Sequence, residues 1–156
     1  DDTSAYNSLI KTHFETYSEK ISDWINSDYI HNTNHPEHLI HKTNSGEKVR
    51  SKSEVIIANA LYSNKVPYRY ECGVHFGDNI FFPDFTICHP QTLEIYYWEH
   101  FGMMDNQSYR DNSYNKLKIY SNYGIIPSIN LITTYETLSH PIDSEKIQQT
   151  ISEYFL

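Results

Sequence analysis

The sequence predicts one α/β domain in which helices cover a β-sheet. Its 156 residues are enough for one hydrophobic core and too few for two ordinary domains. Segments with apolar residues at helical spacing are interspersed with short runs rich in Phe, Ile and Tyr, which are typical of strands. After an N-terminal helix, the patterns follow the order helix, three strands, helix, strand, helix, and this order predicts the α/β class.

Residues 1–47 form a predicted N-terminal helix and a connection, and residues 48–156 form the predicted core. Apolar residues at helical spacing predict a long amphipathic helix over 3–29, which either covers the core or binds a partner. The next segment, 31–46, is rich in Asn and His and predicts a solvated connection. Steps of three and four residues also permit a zinc site made of its histidines, His31, His35, His38 and His41.

The second helix is predicted over 48–64. Ser51 and Glu54 have the spacing of a capping box, in which Ser51 caps the helix and Glu54 reaches back to the cap amide. A helix N-terminus beside several bases is a plausible phosphate contact. The bases around this helix start are Lys42, Lys48, Arg50 and Lys52.

Three strand patterns follow, and two of them carry one acid each. A strand over 68–76 has Glu71 on its polar face, and Gly77 begins a hairpin turn into a strand over 80–88. Asp84 in that strand and Glu99 in the next, 93–100, each end a row of large apolar side chains. Pairing of the two strands would bring the carboxylates together, where a divalent cation such as Mg²⁺ would offset their charge. The alternative is that Asp84 occupies a strand-end turn and Glu99 an exposed edge.

The third helix, predicted over 109–123, has an unusual polar and aromatic stripe. Gly124 ends it, a nearly continuous buried strand is predicted over 125–133, and a last amphipathic helix over 144–155. The stripe consists of Tyr109, Asn112, Lys116, Tyr120 and Tyr123.

Several of these residues carry a family resemblance. Pro83-Asp84, followed by Trp98-Glu99-His100-Phe101-Gly102, resembles the PD-(D/E)XK nuclease superfamily, in a branch where Glu-His replaces the usual signature. The resemblance covers roughly 49–136. It implies a restriction endonuclease-like core, α-β-β-β-α-β, with a mixed central sheet flanked by helices, to which the N-terminal helix is an addition.

The resemblance also implies roles for individual residues. Asp84, Glu99 and the backbone carbonyl of His100 would hold Mg²⁺ or Mn²⁺, and Glu54 would be an acid turned toward that metal. The family's lysine, two residues after the Glu, falls at Phe101, so Lys116 is predicted to replace it. The His100 imidazole alternates away from Glu99 along an ideal strand, and a proton-transfer role for it needs a bend. Predicted DNA contacts are Lys48, Arg50, Lys52 and Tyr109.

The function implied is a Mg-dependent endodeoxyribonuclease that hydrolyses DNA phosphodiester bonds. It would be part of a larger defence, restriction or repair protein, in which a helicase or another domain is fused to it and a dimer is conceivable. The alternative is a nuclease-like domain that has lost catalysis, with Phe101 as the lesion, and that binds nucleic acid or a protein. A regulatory module holding zinc on its histidines is a third reading.

The net charge of −8 argues at first sight against nucleic acid, because phosphate binding relies on Lys and Arg. Most of that charge lies at the ends of the chain. Residues 1–30 hold six acids and two lysines, and residues 135–156 hold four acids and one lysine. The centre is nearly neutral, so charge does not exclude DNA.

Composition also bounds the compartment. The two cysteines give neither a zinc framework nor a disulfide-rich pattern, which predicts a reducing, cytoplasmic setting. No apolar run reaches the roughly 20 residues of a membrane helix, so no membrane partner is predicted. Because the chain begins at Asp1 without Met, we expect it to be a piece of a longer protein.

Overall fold

A mixed four-stranded sheet flanked by helices lies at the centre of the computed structural model, which describes residues 18–156. In chain order, the elements are the described part of helix α1 over 18–26, a 3₁₀ turn at Pro36–His38, strands β1 (His41–Lys42) and β2 (Lys48–Val49), helix α2 (Lys52–Ser63), strands β3 (Tyr68–Tyr70), β4 (Val74–Phe76), β5 (Asn79–Phe81), β6 (Phe85–Cys88) and β7 (Ile95–Phe101), helix α3 (Gln107–Asn122), strand β8 (Leu131–Tyr135) and helix α4 (Ser144–Phe155). The predicted α/β class is confirmed.

The central sheet has the strand order β3-β6-β7-β8. The pairs β3–β6 and β6–β7 are antiparallel, whereas β8 runs parallel to β7 and is reached through α3. A parallel pair needs such a crossover, because a tight turn cannot return the chain to the same end of the sheet. Strands β1 and β2 pair separately, across the predicted division at residue 47.

The main core lies between this sheet and helices α2 and α4. It contains Phe85 and Trp98 from the sheet, with Ile57 of α2 and Ile151 of α4, all fully buried. A smaller cluster under α3 includes Tyr120 and Leu131. Within residues 18–156, no helix has the length and the apolar character needed to cross a bilayer.

Two strands that the sequence predicts as continuous are each broken. The predicted strand over 68–76 divides at Glu71, which has a positive φ of 46°, and the one over 80–88 divides at 82–84. The Glu71 amide donates to the Asp84 carbonyl oxygen at 3.0 Å, so the two interruptions face each other. Beyond them, β4 and β5 form the predicted hairpin around Gly77 as a separate two-stranded sheet.

The predicted strand over 125–133 is wrong for most of its length, since β8 begins only at Leu131. Ile125 is buried, but Ile126 is 41% exposed and Ile129 is 65% exposed, so most of this apolar run is not in the core. Pro127 has no amide to donate to a ladder, and Ser128 has a φ of 68°. These two residues make a turn where hydrophobicity alone indicates a strand.

The helix starts differ from prediction in detail. Helix α2 begins at Lys52, after Ser51, whose hydroxyl accepts a hydrogen bond from the Glu54 amide at 3.1 Å. The Glu54 carboxylate accepts from the Ser51 hydroxyl at 2.6 Å, in place of the cap amide that the capping box predicts. Helix α1 is described only over 18–26, and residues 1–17 of the predicted N-terminal helix lie outside the described residues.

Candidate active site

Asp84 and Glu99 lie opposite each other on neighbouring strands. Phe85 of β6 pairs with Trp98 of β7. Asp84 directly precedes Phe85, and Glu99 directly follows Trp98. Asp84 stands just before β6, where its Oδ2 accepts a hydrogen bond of 2.7 Å from the His100 amide. The antiparallel register therefore brings the two predicted carboxylates to one place.

Glu99 is only 2% exposed and is held by two donors from α3. The Tyr120 hydroxyl donates to its Oε1 at 2.6 Å, and the Lys116 ammonium donates to its Oε2 at 3.0 Å. Burial works against the charged form of Lys116, but the carboxylates of Glu99 and Asp84 outweigh it and raise the lysine pKa. The amine is therefore an ammonium ion at the carboxylate pair.

The surroundings of Asp84 do not fully offset the charge of its ionised form. Burial, followed by the nearby Glu99 and Glu54 carboxylates, raises the pKa of Asp84 well above its ordinary value. Lys116 and the His100 amide act in the opposite direction without cancelling that effect. The site is thus built to gain from an additional positive charge.

Two cavities meet at Asp84, and both are also lined by His100 and Tyr109. The first, the lysine-side cavity, has a volume of about 270 Å³ and includes Glu99 and Lys116. The second, the acidic cavity, has a volume of about 420 Å³. Its additional carboxylates are those of Glu54, Glu71 and Glu136.

Glu54 belongs to this site as well as to the start of α2. Its Oε2 accepts a hydrogen bond of 2.7 Å from the Tyr70 hydroxyl, while its Oε1 is bound by Ser51. Burial is the largest cause that raises the pKa of Glu54, and Glu71 adds to it. The residue combines the cap position with a place on the cavity wall.

Sequence reasoning missed Glu71 and Glu136. A regular strand over 68–76 would place Glu71 on the polar face, but the break at that residue buries its side chain, and Arg50 Nε binds it at 2.7 Å. Glu136 follows directly after β8, and β8 is the neighbour of β7, the strand that carries Glu99. The sequence signal that the two share is an acid directly after a strand of the main sheet, since Glu71 follows β3 and Glu136 follows β8.

The His100 imidazole is held by β8 and the residue after it. Its Nδ1 lies 2.8 Å from the Thr134 hydroxyl, and its Nε2 lies 2.9 Å from Glu136 Oε1. Trp98 Nε1 donates to the same Thr134 oxygen at 3.0 Å, so the Thr134 hydrogen is available for His100 Nδ1. A proton on Nε2 is then donated to Glu136, so the ring is directed at Glu136 rather than Glu99.

The predicted DNA contacts divide into two groups. Lys48 and Lys52 are exposed, and Lys52 lies between Ser51 and Ser53, which line the acidic cavity. Tyr109 lines both cavities and accepts from the Gly102 amide at 3.0 Å. Arg50 is engaged inside the protein. Besides Glu71, its guanidinium binds the carbonyl oxygens of Asn34 and His35 at 2.6 and 2.7 Å, so the structure gives it a bracing role that the sequence does not predict.

The four histidines of the zinc reading do not assemble. His35 and His38 lie together with Glu37, whereas His31 forms an isolated bridge with Cys72 and His41 belongs to β1. The predicted helical face does not form, because the helical part of this segment is a 3₁₀ turn of only three residues, Pro36–His38.

A third cavity, larger than these two, is not lined by any of the groups described above. It has a volume of about 690 Å³ and is lined mainly by apolar and aromatic side chains such as Ile21, Ile25, Tyr62 and Tyr68. It contains none of the predicted catalytic residues.

The lysine-side cavity and the acidic cavity together form a carboxylate-rich cleft, which is lined by Lys116. Fold and site thus define an α/β domain with such a cleft. No protein-family model matches the chain, and no solved structure matches it. One curated protein, an uncharacterized protein of Methanocaldococcus jannaschii, is 35% identical over 68 residues, which is 44% of this chain. The chain spans only about 6% of the length of that relative, and the relative's description states no activity.

Proposed function

We propose that the chain is a metal-dependent nuclease domain of the PD-(D/E)XK type, which hydrolyses DNA phosphodiester bonds with Mg²⁺ or Mn²⁺. One observation carries the proposal. Asp84 and Glu99 face each other across β6 and β7, and the Lys116 ammonium binds Glu99 in the cavity that all three line. Two carboxylates and one lysine beside a cavity are the groups that the resemblance implies.

The topology supports the same proposal. Helix α2, the antiparallel strands β3, β6 and β7, helix α3 and the parallel strand β8 follow in the order α-β-β-β-α-β. A restriction endonuclease-like core would have this order and this mixture of strand directions. The hairpin β4–β5 is then an insertion between the first two strands of the core.

The donor set fits a hard divalent cation. Mg²⁺ prefers carboxylate and carbonyl oxygens together with water. Oδ1 of Asp84 accepts no hydrogen bond from the described residues, and burial and the neighbouring carboxylates raise the pKa of Asp84, so a cation would stabilise its ionised form. Asp84, Glu99 and the His100 carbonyl would hold the ion, which when bound would polarise the phosphate and lower the pKa of a water molecule.

The protein's own groups would do the remaining work. Lys116 would place a positive charge beside the phosphate as its negative charge grows, and it would orient the attacking water through its free N–H groups. Tyr120 keeps Glu99 in position and leaves each carboxylate oxygen a second lone pair. The His100 amide fixes Asp84, which agrees with a backbone rather than a side-chain role for this residue at the metal.

The rival function is a nuclease-like domain without catalysis, and the observation that favours it is Phe101. This residue is 3% exposed and stacks on Tyr135, so it provides no charge where the family has a lysine. The contact of Lys116 with Glu99 supports the active reading, because a lysine from α3 reaches the carboxylates from another direction.

Cleavage of supercoiled plasmid and of single-stranded DNA, with Mg²⁺, Mn²⁺ or EDTA, tests the proposal. We expect metal-dependent cutting by the wild-type chain and loss of cutting in Asp84→Asn. If the folded wild type cuts no DNA with either metal, or if Asp84→Asn cuts as well as wild type, the catalytic assignment is wrong. Binding of DNA or of a protein without cleavage would then become the better description.

A further inference from the structure

A second group of metal-ligating side chains lies outside the cleft, on the 3₁₀ turn Pro36–His38 and the residue before it. One ligand atom from each of His35, Glu37 and His38 can be chosen so that all three lie within 4.8 Å of one another. All three side chains are exposed, at 70%, 63% and 61% respectively. None of them lines the lysine-side or the acidic cavity.

The two imidazoles converge on one carboxylate oxygen. His35 Nδ1 lies 3.1 Å from Glu37 Oε1, and His38 Nε2 lies 3.8 Å from the same atom. Ligands bound about 2.0–2.1 Å from a tetrahedral zinc ion are about 3.3–3.4 Å apart, so both separations are close to those of a zinc site. The rings also stack, with centroids 5.1 Å apart and planes only 10° from parallel.

The backbone that carries these ligands is fixed from inside the protein. The Arg50 guanidinium donates to the carbonyl oxygens of Asn34 and His35 while its Nε is bound to the buried Glu71. His35 has a φ of 46°, and the amides of His38 and Leu39 close the turn onto His35 and Pro36. The ligands therefore project from a braced turn, which lowers the ordering cost of binding an ion.

We propose that His35, Glu37 and His38 form a surface site for a zinc-class transition-metal ion, separate from the Mg²⁺ site of the cleft. Two imidazole nitrogens and one carboxylate oxygen suit zinc and its neighbours, whereas an all-oxygen set suits Mg²⁺. With three protein ligands, the site leaves a coordination position open to water or to a ligand from another molecule. The proposal does not depend on the nuclease activity.

Zinc titration of untagged, metal-stripped protein tests this site, with a chromophoric chelator as competitor and Mg²⁺ present to occupy the cleft. We expect uptake of one zinc ion, and we expect it to weaken about tenfold or more in His38→Ala and in Glu37→Gln, since each removes a ligand. The matched control is His75→Ala, which removes an exposed histidine of β4 outside the cluster and leaves zinc uptake unchanged.

Asp84→Asn separates this site from the cleft and is expected to retain full zinc uptake. The proposal is overturned if the wild type takes up no zinc, or if His38→Ala and Glu37→Gln bind it as tightly as wild type. Loss of zinc in Asp84→Asn together with normal uptake in His38→Ala would place the ion in the cleft and would equally refute the surface site.

Discussion

At Asp84, the proposed role in metal binding and the stability of the metal-free fold would oppose each other. Its carboxyl has a pKa raised from the ordinary value of 3.8, so the folded protein holds that proton more tightly than the unfolded chain does. The stability that this group contributes is complete below about pH 3.8 and is lost as the pH rises through the raised pKa. An ionised Asp84 without a cation therefore weakens the fold.

We predict that Asp84→Asn stabilises the metal-free protein at neutral pH, on the order of 1–2 kcal/mol, because it removes a poorly compensated buried charge. The advantage should shrink as the pH falls toward 4. Urea denaturation in EDTA at several pH values measures it. Mg²⁺ should stabilise the wild type and not the variant, and equal stabilisation of both would contradict a metal at Asp84.

Lys116 and Lys118 offer a matched pair on one helix. Lys116 contacts Glu99, whereas Lys118 is exposed on α3. We predict that Lys116→Met lowers the rate of DNA cleavage by roughly 10²–10³-fold, the usual cost of removing one group that stabilises transition-state charge. Lys118→Met should stay within about twofold of wild type. Similar rates for the two variants would remove Lys116 from the mechanism.

At the scale of the element, strand β7 organises the site. Its alternation places Glu99 and Phe101 on the same face, and both line the lysine-side cavity. Its two neighbours then complete the cleft, since β6 follows Asp84 and β8 precedes Glu136. At Glu71 and at 82–84 the chain leaves the ladder between β3 and β6, and a separate ladder joins β4 and β5. Glu71 and Asp84, at these two breaks, line the acidic cavity.

This geometry predicts that a lysine at position 101 can act in place of Lys116. We expect the double variant Phe101→Lys/Lys116→Met to recover cleavage by about tenfold or more over Lys116→Met alone, because the new ammonium lies on the face of Glu99. The cost is a less stable protein, since Phe101 is buried against Tyr135. The control is Phe101→Met/Lys116→Met, measured under conditions in which circular dichroism shows all variants folded; recovery there would refute the role of charge.

At the scale of the whole molecule, charge would limit how the chain binds the proposed DNA substrate. The net charge is −8, and the two cavities gather five carboxylates, of Glu54, Glu71, Asp84, Glu99 and Glu136, against the cations of Lys116 and Arg50. Arg50 is already bound to Glu71 and to two carbonyl oxygens. A phosphate can approach such a surface only with a metal ion or with bases around the cleft.

We predict weak binding of a short DNA duplex in EDTA and at least about tenfold tighter binding with Ca²⁺, a hard cation that seeks oxygen ligands. Fluorescence anisotropy measures both affinities. Lys48→Glu and Lys52→Glu should weaken binding and reduce its salt dependence, whereas Lys146→Glu on α4 should not. An affinity that is equal in EDTA and Ca²⁺ would contradict a metal-bridged complex.

The sequence by itself determined the parts of this protein that depend on local periodicity. Asp84 and Glu99 each follow the alternating apolar positions of their strand, and a short turn joins the two strands, which predicts that the carboxylates lie close together. The four-residue step from Lys116 to Tyr120 predicts that both lie on one face of α3. Ser51 and Glu54, at capping-box spacing, likewise mark the start of α2. A restriction endonuclease-like identity and the DNA activity remain predictions.

Tertiary structure alone decided which other groups enter the site. Glu71 is buried because the chain leaves the sheet there with a positive φ, and Glu136 is brought in by the parallel pairing of β8 with β7. Arg50 faces inward because Glu71 and the 34–35 backbone approach it from distant parts of the chain. Such contacts arise from long-range packing, which leaves no period in the sequence, whereas strand and helix faces repeat every two or 3.6 residues and can be predicted from it.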